Sequence, residues 1–175
     1  VIAYSSDDRW TRLGPATFFM RRLVRLQPMV IMGSIVGAAL FWFQDAPCYP
    51  AMEGVSAGAV LLVMLLGCTL LPLPLKWDVR GWMEMHPLNG PAWSLYYEYI
   101  GNILYALFIR KFSKTALTVL VAIAACFTVH RCLTAPAGDI VGGWALNWEQ
   151  QYVGLVRLMY PFFGGLLLSR LGWLI

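Results

Sequence analysis

The stretch PLNGPAWSLYYEYIGNILYALFI, residues 87–109, decides the fold of this chain. It runs for 23 residues with a single charge, Glu98, among apolar, aromatic and uncharged polar side chains. A carboxylate near the middle of a membrane-length helix costs about 2.5–3.5 kcal/mol even on lenient insertion scales. Such a group persists when it faces a protein interior, meets a cation or takes part in chemistry.

The surrounding composition is that of a membrane protein. Of 175 residues, 59% are hydrophobic and 13% charged, and the mean hydropathy is +0.65. Soluble domains carry about 25% charged residues, so a soluble globular domain is excluded. The expected fold is all-α, a polytopic transmembrane helix bundle. The net charge of +4 then speaks of topology, and no basic stripe lies outside the ends of apolar segments, so nucleic acid is rejected as a partner. Cys48, Cys68, Cys126 and Cys132 show no metal-ligand spacing, and no metal site is expected. The opening Val-Ile-Ala-Tyr reads as the last turn of a helix already begun, and the chain ends inside another apolar run. The expectation is part of one transmembrane domain, truncated at both ends.

Five spans are expected, at residues 26–44, 54–75, 92–109, 115–129 and 152–171, the last interrupted by Arg157 and closed by Arg170. Cytoplasmic loops are rich in Lys and Arg. Arg9, Arg12, Arg21, Arg22 and Arg25 therefore place the start inside, the 45–53 loop without Lys or Arg falls outside, and Lys76 and Arg80 return inside. Strict alternation then puts Arg110, Lys111 and Lys114 outside, against the rule. Either one span is re-entrant or this loop is an exception. Trp42, Trp77, Trp82, Trp144 and Trp148, near span ends, read as interfacial anchors.

Two constellations carry chemistry. In FFMRRLVRLQP, residues 18–28, a helix places Arg21 and Arg25 four apart and Arg22 and Arg25 three apart, on one cationic face. Pro28 limits or kinks that helix. The face reads either as a positive-inside anchor or as an anion site, since guanidinium forks bind phosphates bidentately. In the second, Ser94, Glu98 and Asn102 recur every fourth residue, with Tyr105 three further on, as a polar stripe along an apolar helix. Pro91 suits a first helical turn, with Asn89 or Gly90 as cap. The stripe reads either as hydrogen-bonding glue between helices or as a functional site.

These residues resemble a known family. Residues 18–28, the run NGPAWSLYYEY at 89–99 and RLMYPFFGGLLLSRL at 157–171 look like the membrane-bound acyltransferase family 3, bacterial sugar O-acyltransferases such as O-antigen and exopolysaccharide acetylases. The Trp-Ser-Leu-x-x-Glu signature at 93–98 and Arg-Arg-x-x-Arg-x-x-Pro at 21–28 carry the match. The resemblance implies a bundle of about ten spans in which an acyl group, usually acetyl, passes from acyl-CoA to a carbohydrate or glycolipid hydroxyl. It implies a multi-pass protein of the inner (plasma) membrane, with acyl-CoA as donor substrate and no bound cofactor. Glu98, Arg22 and Arg25 become the expected catalytic residues, and Arg21, Trp93, Ser94, Asn102 and Arg157 the expected substrate-binding ones. Arg22 and Arg25 would hold coenzyme phosphates. Glu98 would pair with an arginine, Arg157 among the candidates, or orient the base. The family's histidine belongs to a helix upstream of Val1; His86, read as a loop residue, and His130, at a helix end, do not match it. The rival readings are a polytopic transporter and a non-catalytic polysaccharide-assembly subunit.

Overall fold

The structure, a computed structural model, describes residues 10–44 and 54–173. The readings made of residues 1–4, of Arg9, of the Arg12 side chain and of the 45–53 loop with Cys48 lie outside the described residues. Among the described residues the chain is all-α, with helices α1 (Trp10–Phe43), α2 (Ala57–Gly67), α3 (Ala92–Leu107), α4 (Lys114–Thr134) and α5 (Trp148–Arg170) and no strand.

Three of these are long and apolar enough to cross a membrane: Gly14–Phe43 of α1, α4 and α5. At 1.5 Å per residue the 21 residues of α4 cover the ~30 Å hydrocarbon layer. The expected spans at 54–75 and 92–109 are shorter, with 11 residues in α2 and 16 in α3. The sequence explains where α2 stops. Its last carbonyls are closed by tight turns, Thr69 N to Leu66 O at 3.0 Å and Leu70 N to Gly67 O at 3.0 Å. Leu70 then adopts φ +60°, and Pro72 and Pro74 bar helix at the residues before them. Gly14 takes φ +60° and ψ 160° and sets the bend near the start of α1. Pro28 was expected to limit or kink this helix. It does not end the helix: no residue from 15 to 43 leaves helical geometry.

The chain divides into two compact units. The first takes Val1–Arg22, Tyr97–Gly142 and Tyr152–Ile175. Its core is Phe18, Tyr105, Ala106, Ile109, Leu117, Phe163 and Leu166. Helices approach closely at glycine: a β-carbon at position 154 would lie 2.0 Å from the Tyr97 ring, and one at 101 would lie 3.0 Å from Leu158 and Phe162. Such small-residue contacts replace the hydrophobic drive that lipid surroundings remove.

The second unit takes Leu23–Tyr96 and Gly143–Gln151, with Ala38, Val60, Val63, Leu73, Val79 and Leu88 as its core. The non-helical segment from 68 to 91 is part of this core. Leu73 N donates to Met85 O at 2.9 Å and Met85 N to Trp144 O at 2.7 Å. The Gln27 side-chain amide donates to Cys68 O, and Asn89 Nδ2 donates to Val30 O at 3.3 Å. A glycine seam on α1 receives this segment. A β-carbon at position 37 would lie 1.6 Å from the Leu88 carbonyl oxygen, and one at 33 would lie 2.6 Å from Asn89 Nδ2.

The Leu88 oxygen belongs to the backbone and cannot swing aside. Gly37→Ala is therefore expected to destabilise by at least the upper part of the ~1–3 kcal/mol typical of overpacking, read as a fall in Tm of the purified protein. Gly165→Ala, where a new β-carbon meets nothing within 4 Å, is expected to leave Tm nearly unchanged. Equal melting of the two variants would refute the seam.

Candidate functional site

The α3 helix starts where the loop backbone lets it. Pro91 precedes its first residue, accepting from Ser94 N at 3.1 Å and from Ser94 Oγ at 2.8 Å. The cap expected from the Asn89 side chain is not formed, because that amide reaches to Val30 instead. The helical period then sets Ser94, Glu98 and Asn102 on one face. Ser94 is exposed, Trp93 and Glu98 are half-buried and Asn102 is fully buried.

Asn102 is the most constrained member. Its Nδ2 donates to the Glu98 backbone carbonyl at 2.7 Å, while its Oδ1 is buried without a hydrogen-bond partner among the described residues. The Tyr99 hydroxyl is in the same condition. An unmade hydrogen bond of this kind costs about 1–3 kcal/mol. This face of α3 therefore offers an amide oxygen and, nearby in sequence, a phenol that a substrate hydroxyl or carbonyl can satisfy.

The arginines are placed differently from the expectation. Arg22 is buried, with its guanidinium 5.5 Å from the centre of the Phe18 ring. Arg21 and Arg25 are exposed. Arg157 is half-buried and its Nη1 donates to Gly142 O at 2.8 Å. No ion pair of the Glu98 carboxylate occurs among the described residues. The expected Glu98–arginine pairing is thus not formed there: Arg22 packs on an aromatic face and Arg157 is drawn to a loop carbonyl. Arg21, Arg22, Glu98, Asn102 and Arg157 belong to the first unit, and Arg25, Trp93 and Ser94 to the second.

Sequence reasoning missed the polar centre of the 68–91 segment. Asp78 accepts from Arg80 N at 3.0 Å and from Glu84 N at 3.3 Å, one carboxylate oxygen to each. Arg80 Nη1 bridges Glu84 Oε2 at 3.1 Å and Pro87 O at 3.2 Å, and its guanidinium lies 4.2 Å from the Trp82 ring centre. Trp82, read as a membrane-interface anchor, stacks on this arginine. Burial raises the Glu84 pKa, against the lowering pull of Arg80, with Asp78 adding to the rise. The signal in the sequence was three charges of alternating sign within seven residues of a loop, at 78, 80 and 84.

His86 is a loop residue, as read, but not an exposed one. It is only 3% accessible, its Nε2 lies 3.2 Å from Leu70 O, and its ring sits 6.2 Å from that of Tyr96. The carbonyl partner requires a proton on Nε2, so in the neutral ring Nδ1 is the acceptor, and it has no hydrogen-bond partner among the described residues. Burial lowers the His86 pKa, more than the Leu70 hydrogen bond raises it. Among the described residues no group of three His, Cys, Asp or Glu side chains could hold a metal ion.

Apolar helices of crossing length, with a half-buried carboxylate on a neighbouring helix, define a membrane protein with a polar face inside apolar surroundings. The particular family follows from comparison. The model of the acyltransferase family 3, described as an acyltransferase domain, matches residues 2–175, and the chain belongs to that family. No curated protein and no solved structure matches it. The protein is accordingly an acyltransferase of the membrane.

The lowered pKa of His86 gives a pH test. The unfolded imidazole binds a proton near pH 6.5, which the folded one refuses until lower pH. Stability is complete above that unfolded pKa and falls as pH drops through it towards the folded value. The rise at Glu84 acts oppositely and in a more acidic window, starting from 4.5. Wild-type protein is expected to lose more Tm between pH 7.5 and pH 5.5 (roughly one unit either side of the imidazole value) than His86→Asn. Parallel losses would show that His86 does not sense this range.

Proposed function

We propose that the protein is a multi-pass enzyme of the inner (plasma) membrane that moves an acyl group, acetyl as first choice, from acyl-CoA to a carbohydrate hydroxyl. The acceptor class is a cell-surface or lipid-linked glycan. The reaction forms an ester C–O bond at the donor carbonyl and breaks its C–S bond. The proton leaves the acceptor hydroxyl for a general base, and the coenzyme thiolate departs and is protonated. Membership of the acyltransferase family supports the reaction class.

The observation that carries the reading is Glu98: a half-buried carboxylate on the polar face of α3 with no ion pair among the described residues. A carboxylate held only for structure would be neutralised where it sits, because an unpaired charge in apolar surroundings is costly. Glu98 instead leaves its side-chain oxygens open to a group that arrives with the reaction: the acceptor hydroxyl, or the imidazole that takes its proton. Asn102 presents its open Oδ1 on the same face and aligns that hydroxyl. Buried Arg22 supplies positive charge for the donor, with Arg21 and Arg25 in the turns around it, and planar guanidinium forks suit coenzyme phosphates. Arg157 joins them as a proposed substrate-binding residue of the first unit, and Trp93 and Ser94 are proposed for substrate binding on the second.

The test is transfer of labelled acetyl from acetyl-CoA by membranes containing the full-length protein, with lipid-linked glycans analysed for O-acetyl groups. Glu98→Gln is expected to lower turnover by about 100-fold or more, the lower part of the general acid–base range, while the variant still inserts and accumulates. A fully active Glu98→Gln protein would make the carboxylate structural. Absence of any acetyl release by the wild type would refute the enzyme.

A further inference from the structure

The core of the first unit gathers four helix ends at one level. Phe18 near the start of α1, Ile109 just past α3, Leu117 in the first turn of α4 and Leu166 in the last turns of α5 pack into one buried cluster. Cations surround these four residues in the chain. Arg21 and Arg22 follow Phe18 by about one turn, Arg110, Lys111 and Lys114 lie between Ile109 and Leu117, and Arg170 closes α5. Arg170 fastens the loop: its Nη1 donates to Phe112 O at 2.7 Å and its Nη2 to Arg110 O at 3.2 Å. None of the chain's nine carboxylates falls in residues 14–22, 104–121 or 163–173.

We infer that α3 crosses the membrane and α2 does not, so that Arg110, Lys111, Lys114 and Arg170 lie at the cytoplasmic level of Arg21 and Arg22, where the exposed Lys111 and Lys114 seat the protein on anionic lipid headgroups. Parity carries the first half. A chain that leaves this level at Phe18 and is back at it by Ile109 has crossed an even number of times. Helix α1 supplies one crossing, with 30 residues from Gly14 onward. The 11 residues of α2 reach about 16 Å, half of the ~30 Å layer, whereas the 16 of α3 reach about 24 Å. The second crossing is therefore α3, and α2 does not cross. Helices α4 and α5 then cross out and back, which brings Arg170 to the level of Arg110, as their hydrogen bond requires.

Charge agrees with this count. The near ends carry the six cations named above and no carboxylate. Past the other end of α4 in the same unit, residues 131–142 hold Arg131 against Asp139. The Lys and Arg excess thus falls on one face, as the positive-inside rule demands. The conflict raised by alternating five spans disappears.

The second half rests on what stands between the cations. Leu107, Phe108, Phe112, Leu171 and Trp173 are exposed there, beside exposed Lys111 and Lys114. A soluble nucleotide would not call for such an apolar fringe. A leaflet boundary does: the apolar and aromatic groups enter the lipid and the ammonium groups snorkel to phosphates. The inference rests on the multi-pass reading above and not on acyl transfer.

The test uses the full-length protein in native membrane vesicles of either orientation, treated with a membrane-impermeant amine reagent and read by peptide mass spectrometry. Lys76, Lys111 and Lys114 are the lysines of this chain, and all three are exposed. Lys111 and Lys114 are expected to react only in inside-out vesicles; reaction of either in right-side-out ones overturns the topology. Purified Lys111→Gln/Lys114→Gln protein, reconstituted in phosphatidylcholine mixed with phosphatidylglycerol, is expected to retain less phosphatidylglycerol by about fivefold for each lysine removed. Retention equal to wild type, with the labelling as expected, overturns the lipid partner. Wild-type protein that labels as expected but transfers no acyl group counts against the enzyme alone.

Discussion

The close approach of the Leu88 carbonyl to Gly37 is the contact on which the second unit depends. Backbone cannot lie against backbone across a side chain, so α1 carries glycine where the loop crosses it. That approach lets Asn89 reach the Val30 carbonyl and brings Leu88 into the core with Ala38 and Val63. The loop then ends in Pro91 with its carbonyl turned to Ser94, and α3 begins. The position of Glu98 along α3 is counted from that start. A helix whose first turn were free to slide would carry its carboxylate to no defined place.

Polar groups in the 68–91 segment are handled within the segment. Asp78 satisfies two backbone amides, Arg80 is shared by Glu84 and the Pro87 carbonyl, and Met85 exchanges hydrogen bonds with Leu73 and Trp144. Irregular backbone that is buried in a protein needs its polar groups paired, and these bonds meet that need. Glu98 and Asn102 behave in the opposite way. Each keeps a side-chain oxygen uncommitted among the described residues, which suits a reactive face better than a supporting one.

Much of this was legible in the sequence. The apolar composition pointed to the all-α class, and the helix expected around Ser94, Glu98 and Asn102 is α3. The early end of α2 was legible in part, since Pro72 and Pro74 marked a break, but the run of apolar residues up to Leu75 read as span. The positive φ at Leu70, which completes the break, has no signature in a leucine. The partners of Arg22 and Arg157 were not legible either, because charge attraction alone ranks Glu98 above a Phe18 ring or a Gly142 carbonyl. His86 was read as a loop residue and is one; its burial was not legible, because hydrogen bonds to residues far away in the chain bury this loop.

The account stands on residues 68–91 being a fixed platform rather than a surface loop. Hydrogen–deuterium exchange of the full-length protein in lipid nanodiscs measures this directly. The amides of Leu73 and Met85, which donate at 2.9 and 2.7 Å, are expected to exchange as slowly as those in the middle of α4. Exchange of peptides from this segment as fast as that of freely solvated loops would contradict the platform, and with it the defined position of Glu98.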